Sequence, residues 1–204
     1  DKLDARRRVE LFKIVTAGAA MDNKLAGPDT MVGCPGQIDI GDRTIPNYDK
    51  FDLGLVPMSK AFADSCNTTF AELASRMSPT ALTVAASEYG IGPDYTIEGL
   101  TTVTGMVPAS VDLAERTEDG FGQGKVLVTP FGMALAAATV AAGKTPTPRL
   151  IAGTESVETG ANPPANPVTL DGLRSMMRRV VTDGTARDID GLGEAVDLRA
   201  GGFP

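Results

Sequence analysis

The sequence contains no histidine. This absence excludes Ser-His-Asp and Cys-His catalysis, histidine-ligated metals and any histidine proton shuttle. Its two cysteines are too few for a four-cysteine zinc site. If the protein is an enzyme, its proton transfers must therefore use lysine, carboxylate, tyrosine or hydroxyl groups.

Aromatic residues and positive charge are also scarce. The 204 residues include no tryptophan, three tyrosines and seven phenylalanines, and 19 basic against 26 acidic side chains give a net charge of −7. Because nucleic-acid-binding proteins present basic surfaces to phosphates, this composition argues against that class. No apolar run approaches the roughly 20 residues of a membrane span, and the charged residues 1–10 do not resemble a signal peptide.

The sequence does contain enough apolar residues, 42%, for one packed domain. Apolar residues at helical spacing and helix-end signals predict six helices: from Leu11 to about Asn23, a short one at 56–64, one after Asn67, one from Ser78-Pro79 to Gly90, one from Thr129-Pro130 to Gly143, and one capped by Thr169. Short strands are predicted at residues 37–41 and 148–153. Since strands and helices do not alternate regularly, the expected fold class is α+β rather than a doubly wound parallel sheet.

The two thiols, Cys34 and Cys66, have two interpretations. They form one disulfide in an exported protein, or they are two buried small hydrophobic residues. The sequence does not show whether their Cβ atoms approach each other. Because buried free cysteine is common, two separate buried thiols are the favoured expectation.

Lys13 is the first candidate for chemistry. It stands inside an otherwise apolar helix start, where an ammonium group is costly unless it has partners. A lysine held beside a serine in a low-dielectric pocket can be neutral for part of the time and accept the serine proton. The alternative is a side chain that extends outward to solvent.

Ser65 and Asn67 are a second candidate pair, in a Ser-x-Asn turn between two predicted helices. The turn places a hydroxyl and a carboxamide on one side of the backbone, where one can relay a proton and the other can bind a peptide group. The alternative is purely structural, because Asn67 is also a good helix cap. Gly122 and Gly124 are interpreted as turn glycines, since a lone Gly-x-Gly is weak support for an anion site.

Together these segments resemble the penicillin-binding protein transpeptidases, whose motifs are Ser-x-x-Lys, Ser-x-Asn and Lys-Thr-Gly. The resemblance extends over most of residues 11–201, and its order along the chain is that of the family. It rests on four segments: FKIVTAGAAMD at 12–22, MSKAFADSCNTTFAELASRM at 58–77, FGQGKVLVTPFGMALAAATVAAGKTPTPRLI at 121–151, and MMRRVVTDGTA at 176–186. The motifs and the lack of an upstream glycosyltransferase segment favour class B.

Two departures fall beside catalytic motifs. Glu10 occupies the nucleophile position of the Ser-x-x-Lys frame that ends at Lys13, and residues 198–201 (LRAG) are followed by Gly-Phe-Pro instead of Lys-Thr-Gly. Either segments are missing between Glu10 and Leu11 and after Gly201, or the chain is truncated or engineered, or it is a natural pseudoenzyme. The first explanation is favoured because residues 1–10 match the family poorly. Residues 1–204 are then one incomplete transpeptidase domain, with a loop at 159–167.

The resemblance implies an antiparallel sheet flanked by helices and an all-helical subdomain. It also implies a peptidoglycan D,D-transpeptidase that works through a serine acyl-enzyme without metal or organic cofactor. The nucleophilic serine is expected just before Leu11, with Lys13 as its base, Ser65 as a proton relay and Asn67 as a catalytic and substrate-binding residue. The implied partners are stem peptides ending in D-Ala-D-Ala, β-lactams and other cell-wall synthesis proteins.

The implied location is the outer face of the cytoplasmic membrane, with an anchor upstream of this chain. Two other functions stay open. A catalytically inactive scaffold for cell-wall assembly is favoured by the missing serine, and a serine β-lactamase shares the first two motifs.

Overall fold

The computed structural model describes residues 11–97, 100–160 and 162–189, which contain seven α-helices and nine short strands. The helices are α1 (Lys13–Asp22), α2 (Met58–Ala63), α3 (Asn67–Ser75), α4 (Ala81–Glu88), α5 (Leu113–Gly120), α6 (Pro130–Ala142) and α7 (Pro167–Thr182). The strands are β1 (Met31–Cys34), β2 (Gln37–Ile40), β3 (Arg43–Pro46), β4 (Gly54–Pro57), β5 (Tyr95–Ile97), β6 (Leu100–Thr101), β7 (Gly105–Met106), β8 (Leu127–Val128) and β9 (Val157–Glu158).

All strand pairs in these residues are antiparallel, and they form four small sheets. β1 pairs with β4, β2 with β3 and β7 with β8, while β5 lies between β6 and β9. The β2–β3 hairpin has a two-residue turn in which Gly41 has φ +62°, a conformation that glycine adopts without a Cβ penalty. The predicted α+β class is therefore confirmed.

Helix α1 lies in the middle of the core. Every residue from Lys13 to Ala20 is buried, and the helix packs against α3, α4 and α7. Its small residues allow this close approach: at Gly18 an added Cβ would collide with the Tyr89 ring of the segment after α4. The helix that carries the candidate lysine is thus fixed on several sides by apolar packing.

The structure confirms some predicted boundaries and corrects others. Thr129 caps α6 by accepting from Gly132 N–H at 3.0 Å, and Gly143 ends it in a left-handed conformation. The prediction that Thr169 caps the last helix is wrong, because Asn166 accepts from Val168 N–H and α7 begins at Pro167. The strand predicted at 148–153 is also wrong, since that segment has only turns and irregular backbone. Across the ranges that the structure describes, no helix is long and apolar enough to span a membrane.

Candidate active site

Lys13 and Ser65 come into direct contact although 52 residues separate them in the chain. Lys13 is the first residue of α1 and is only 2% exposed. Its Nζ donates a hydrogen bond to Ser65 Oγ across 2.9 Å. The outward-pointing interpretation of Lys13 is therefore excluded, because the amine is held inside the protein against a hydroxyl group.

Ser65 lies between α2 and α3 in a strained backbone conformation. Its φ is +60°, in the left-handed region that side chains other than glycine avoid. Such a conformation costs about 1–3 kcal/mol and persists only where the surroundings enforce it, often at functional sites. In this conformation Ser65 Oγ lies 2.9 Å from Lys13 Nζ.

Asn67 does not act as a helix cap. It is the first residue of α3; the cap position belongs to Cys66, whose side chain makes no capping bond. Asn67 is partly exposed, and its Nδ2 donates to the carbonyl of Pro46 at 3.4 Å. The structural interpretation of Asn67 as a cap is therefore wrong, and its carboxamide is placed at the surface two residues after Ser65.

Cys34 and Cys66 are joined in a disulfide, and both are fully buried. The favoured expectation of two separate thiols is wrong: the end of β1 lies next to the start of α3, which brings the two Cα atoms to 6.2 Å. Cys66 is the middle residue of the Ser-x-Asn turn. The bond therefore attaches the turn that carries Ser65 and Asn67 to the β1–β4 pair.

A second set of contacts fixes α1 one turn beyond Lys13. Thr16 Oγ1 donates to the carbonyl of Gly120, at the end of α5, across 2.6 Å in the interior. Asp119 closes the turn that follows α5, at residues 121–124. It is 1% exposed and accepts hydrogen bonds from Lys125 N–H at 2.6 Å and from the Ser110 hydroxyl. A side chain at Gly124 would collide with the Asp119 carboxylate. Gly122 and Gly124 therefore serve the turn.

The other expected parts of the site lie outside the described residues. These are position 10, where the nucleophile is expected, and residues 198–201. Sequence reasoning missed Asn47, whose buried carboxamide accepts from Thr68 N–H at 3.1 Å. An asparagine after a short strand is typical of a turn, so nothing local distinguishes it. The described ranges contain no cluster of three or more His, Cys, Asp or Glu residues that could hold a metal ion.

Comparison with known proteins gives consistent matches. The family model described as the penicillin binding protein transpeptidase domain matches residues 11–199. Penicillin-binding protein PbpB of Mycolicibacterium smegmatis is 30% identical over 181 residues, which are 83% of this chain and 28% of the relative. Peptidoglycan D,D-transpeptidase PbpA of the same organism is 30% identical over 138 residues, 64% of this chain and 27% of the relative.

Solved structures agree on the fold. The complex between PBP2 and MreC from Helicobacter pylori matches with a TM-score of 0.78 and 22% identity, over 89% of this chain and 36% of the solved chain. The chain spans little more than a quarter of the length of the two curated relatives. Since the family model covers nearly all of the sequence, the chain belongs to the penicillin-binding protein transpeptidase domain family.

Proposed function

We propose that the protein is a peptidoglycan D,D-transpeptidase that cross-links stem peptides through a serine ester. Family membership and the name of PbpA support the reaction class. The observation that carries the proposal is the 2.9 Å contact between the Lys13 amine and the Ser65 hydroxyl. Besides the nucleophile, a serine ester mechanism without histidine needs an amine as base and a hydroxyl as proton relay. The contact brings these two groups together.

The reaction begins at the serine expected just before Leu11. Its Oγ attacks the carbonyl carbon of the D-Ala-D-Ala amide, and neutral Lys13 takes the hydroxyl proton. Ser65, already within hydrogen-bond distance of Lys13 Nζ, passes a proton to the leaving D-Ala nitrogen as the C–N bond breaks. The amine of a second stem peptide then attacks the ester, which forms the cross-link and returns the serine.

The solvent exposure of Lys13, Ser65 and Asn67 suits these roles. Lys13 is 2% exposed, so water does not compete for its Nζ. Ser65 and Asn67 are both partly exposed, as groups that contact a peptide substrate must be. The Asn67 carboxamide can donate to and accept from a peptide group, which is how we expect it to hold the acyl chain.

β-Lactams are expected to acylate the same serine and remain attached. The expected location is the outer face of the cytoplasmic membrane, where peptidoglycan is assembled, with the anchor upstream of these residues. The MreC complex of the Helicobacter pylori relative suggests that the protein works with other cell-wall synthesis proteins. No metal or organic cofactor is required by the proposed steps.

Fluorescent penicillin labelling of the intact protein tests the role of Lys13. We expect Lys13→Ala to reduce the labelling rate by at least about a hundredfold, the size of a typical general-base contribution. Lys24→Ala, which removes an exposed lysine just beyond the same helix, is the control and should label normally. Undiminished labelling of Lys13→Ala would remove Lys13 from the mechanism.

One observation favours a second function, an inactive scaffold for cell-wall assembly: Glu10 stands where the motif requires serine. A carboxylate at that position is a poor acyl acceptor and would pair with the lysine ammonium. The intact mass of the purified protein separates the two functions. A mass well above 21.2 kDa, with a serine before Leu11 in its peptide map, supports the enzyme, whereas a mass equal to it supports the scaffold.

A further inference from the structure

One buried side chain, Asn47, bonds to three separate segments around the Ser-x-Asn turn. It follows β3 and is only 3% exposed. Its Nδ2 donates to the carbonyls of Pro35 at 2.9 Å and Phe51 at 3.0 Å, and its Oδ1 accepts from Thr68 N–H at 3.1 Å. Both the amide nitrogen and the amide oxygen of Asn47 are therefore hydrogen-bonded.

The bond to Thr68 replaces the missing cap of α3. Thr68 is the second residue of that helix, where a backbone N–H has no partner within the helix. The residue at the cap position, Cys66, makes no capping bond with its side chain. Asn47 supplies the acceptor from a loop about twenty residues earlier in the chain.

The bond to Pro35 connects this cap to the disulfide. Pro35 directly follows Cys34, and the disulfide joins Cys34 to Cys66. Thr68 Oγ1 also donates to the Pro35 carbonyl, at 2.9 Å. The turn 65–67 is thus enclosed on its helix side by one carboxamide, one hydroxyl and one disulfide that all meet at the end of β1.

We propose that Asn47 is a positioning residue that holds Ser65 on Lys13 by fixing the start of α3. The expected effect on acylation rests on the proposed function, whereas the effect of Asn47 on the position of Ser65 does not depend on it. Ser65 has a φ of +60°, which it can keep only while its surroundings enforce it. Without the cap, the start of α3 loosens, the Ser65 backbone relaxes and Ser65 Oγ moves away from Lys13 Nζ.

Two variants of the intact protein test the proposal. Asn47→Leu removes both ends of the carboxamide. Asn47→Asp keeps an oxygen for Thr68 N–H, but its second oxygen would face the Pro35 and Phe51 carbonyls, to which the Asn47 Nδ2 donates. In the aspartate variant Pro35 keeps its bond from Thr68 Oγ1. Asn23→Leu is the matched control, because Asn23 also donates to a backbone carbonyl, that of Ala19, but at the far end of α1.

Three quantities are measured: hydrogen exchange of the Thr68 amide, the Lys13 side-chain resonances in NMR spectra, and the rate of acylation by penicillin. In Asn47→Leu we expect Thr68 exchange at least about tenfold faster, shifted Lys13 resonances and acylation at least about tenfold slower, which corresponds to one lost buried hydrogen bond. Asn47→Asp should protect the Thr68 amide better than Asn47→Leu does, because it keeps the acceptor for Thr68 N–H. It should recover only part of the acylation rate, because it loses the donor to the Pro35 and Phe51 carbonyls. Asn23→Leu should leave all three quantities unchanged.

Wild-type Thr68 protection or unshifted Lys13 resonances in Asn47→Leu would overturn the proposal. If that variant does not fold, Asn47→Asp decides, and exposed Thr68 in a folded Asn47→Asp would overturn it as well. If the wild-type protein is never acylated while the NMR changes appear as expected, the proposed function fails and the positioning role stands. If the wild type is acylated and Asn47→Leu reacts equally fast, the positioning role fails and the function stands.

Discussion

Lys13 and Ser65 are in contact, but they belong to two regions that are stabilised by different interactions. Lys13 belongs to α1, whose residues are buried by apolar packing against three other helices. Ser65 belongs to the region 31–68, where the Cys34–Cys66 disulfide and the Asn47 carboxamide fix the turn. The lysine region therefore depends on many small contacts, and the serine region depends on a few specific ones.

This difference indicates how each region should respond to mutation. Apolar packing is disturbed by the insertion of new volume, because protein interiors are close-packed. A disulfide or a buried polar contact fails when one group is removed. The predictions below test this contrast, from the largest expected effect to the smallest.

Removal of the disulfide should have the largest effect. The bond closes a segment with a sequence separation of 32 residues. Its loss in the double variant Cys34→Ala/Cys66→Ala should lower the free energy of unfolding by about 2–4 kcal/mol. Urea denaturation measures this change, and a loss below about 0.5 kcal/mol would show that the serine region does not depend on the bond.

An added methyl group in α1 should cause the second-largest loss of stability. In Gly18→Ala the new Cβ would collide with the Tyr89 hydroxyl and ring, which are completely buried. Overpacking of this kind typically costs about 1–3 kcal/mol, and thermal denaturation measures it.

The double variant Gly18→Ala/Tyr89→Phe is the control for this collision. The Tyr89 hydroxyl has no hydrogen-bond partner among the described residues, so its removal should recover part of the lost stability. Burial raises the pKa of this hydroxyl, and Asp22 and Glu88 raise it further, so it stays neutral at ordinary pH. An unchanged melting temperature in Gly18→Ala would contradict the close packing of α1.

The smallest effect should come from Glu88, at the end of α4. Partial burial raises the pKa of its carboxyl above 4.5, and the Asp22 carboxylate raises it further. Since ionisation is then less favourable in the folded protein, the wild type loses stability as pH rises through the range above 4.5. Glu88→Gln should therefore be more stable at pH 7 by roughly 0.2–0.5 kcal/mol, because solvent screens a partly exposed group.

Melting curves at pH 4 and pH 7 measure this difference. At pH 4 most of the gain should disappear, because this pH lies below the ordinary carboxyl pKa of 4.5 and Glu88 is mostly protonated in both states. Glu155→Gln, at an exposed position in a loop, is the control for the change from glutamate to glutamine. A gain for Glu88→Gln that persists at pH 4 would contradict the electrostatic explanation.

The sequence predicted the lysine region better than the serine region, for a physical reason. Helix α1 could be predicted because its apolar spacing is a local pattern, and α6 because Thr129 and Gly143 mark its ends. The predicted cap at Asn67 was wrong because the acceptor is supplied by Asn47 in another loop. Likewise Thr169, a suitable cap by type, instead donates to Asp22 at 2.5 Å.

The disulfide could not be predicted because it depends on where β1 ends in space relative to α3. The resemblance did identify Ser65 and Lys13 as a pair, since a family motif carries information about contacts that local patterns lack. Their 2.9 Å separation is a result that no spacing of residues along the chain could supply. Long-range polar contacts are thus the part of this site that composition and periodicity miss.

The most direct test of the central claim is peptide mapping of the intact protein after reaction with fluorescent penicillin. The proposed mechanism predicts one adduct on a serine just before Leu11, formed in the wild type and in Lys24→Ala but lost in Lys13→Ala. An adduct that forms equally well without the Lys13 amine, or that maps to another part of the chain, would contradict the proposed mechanism.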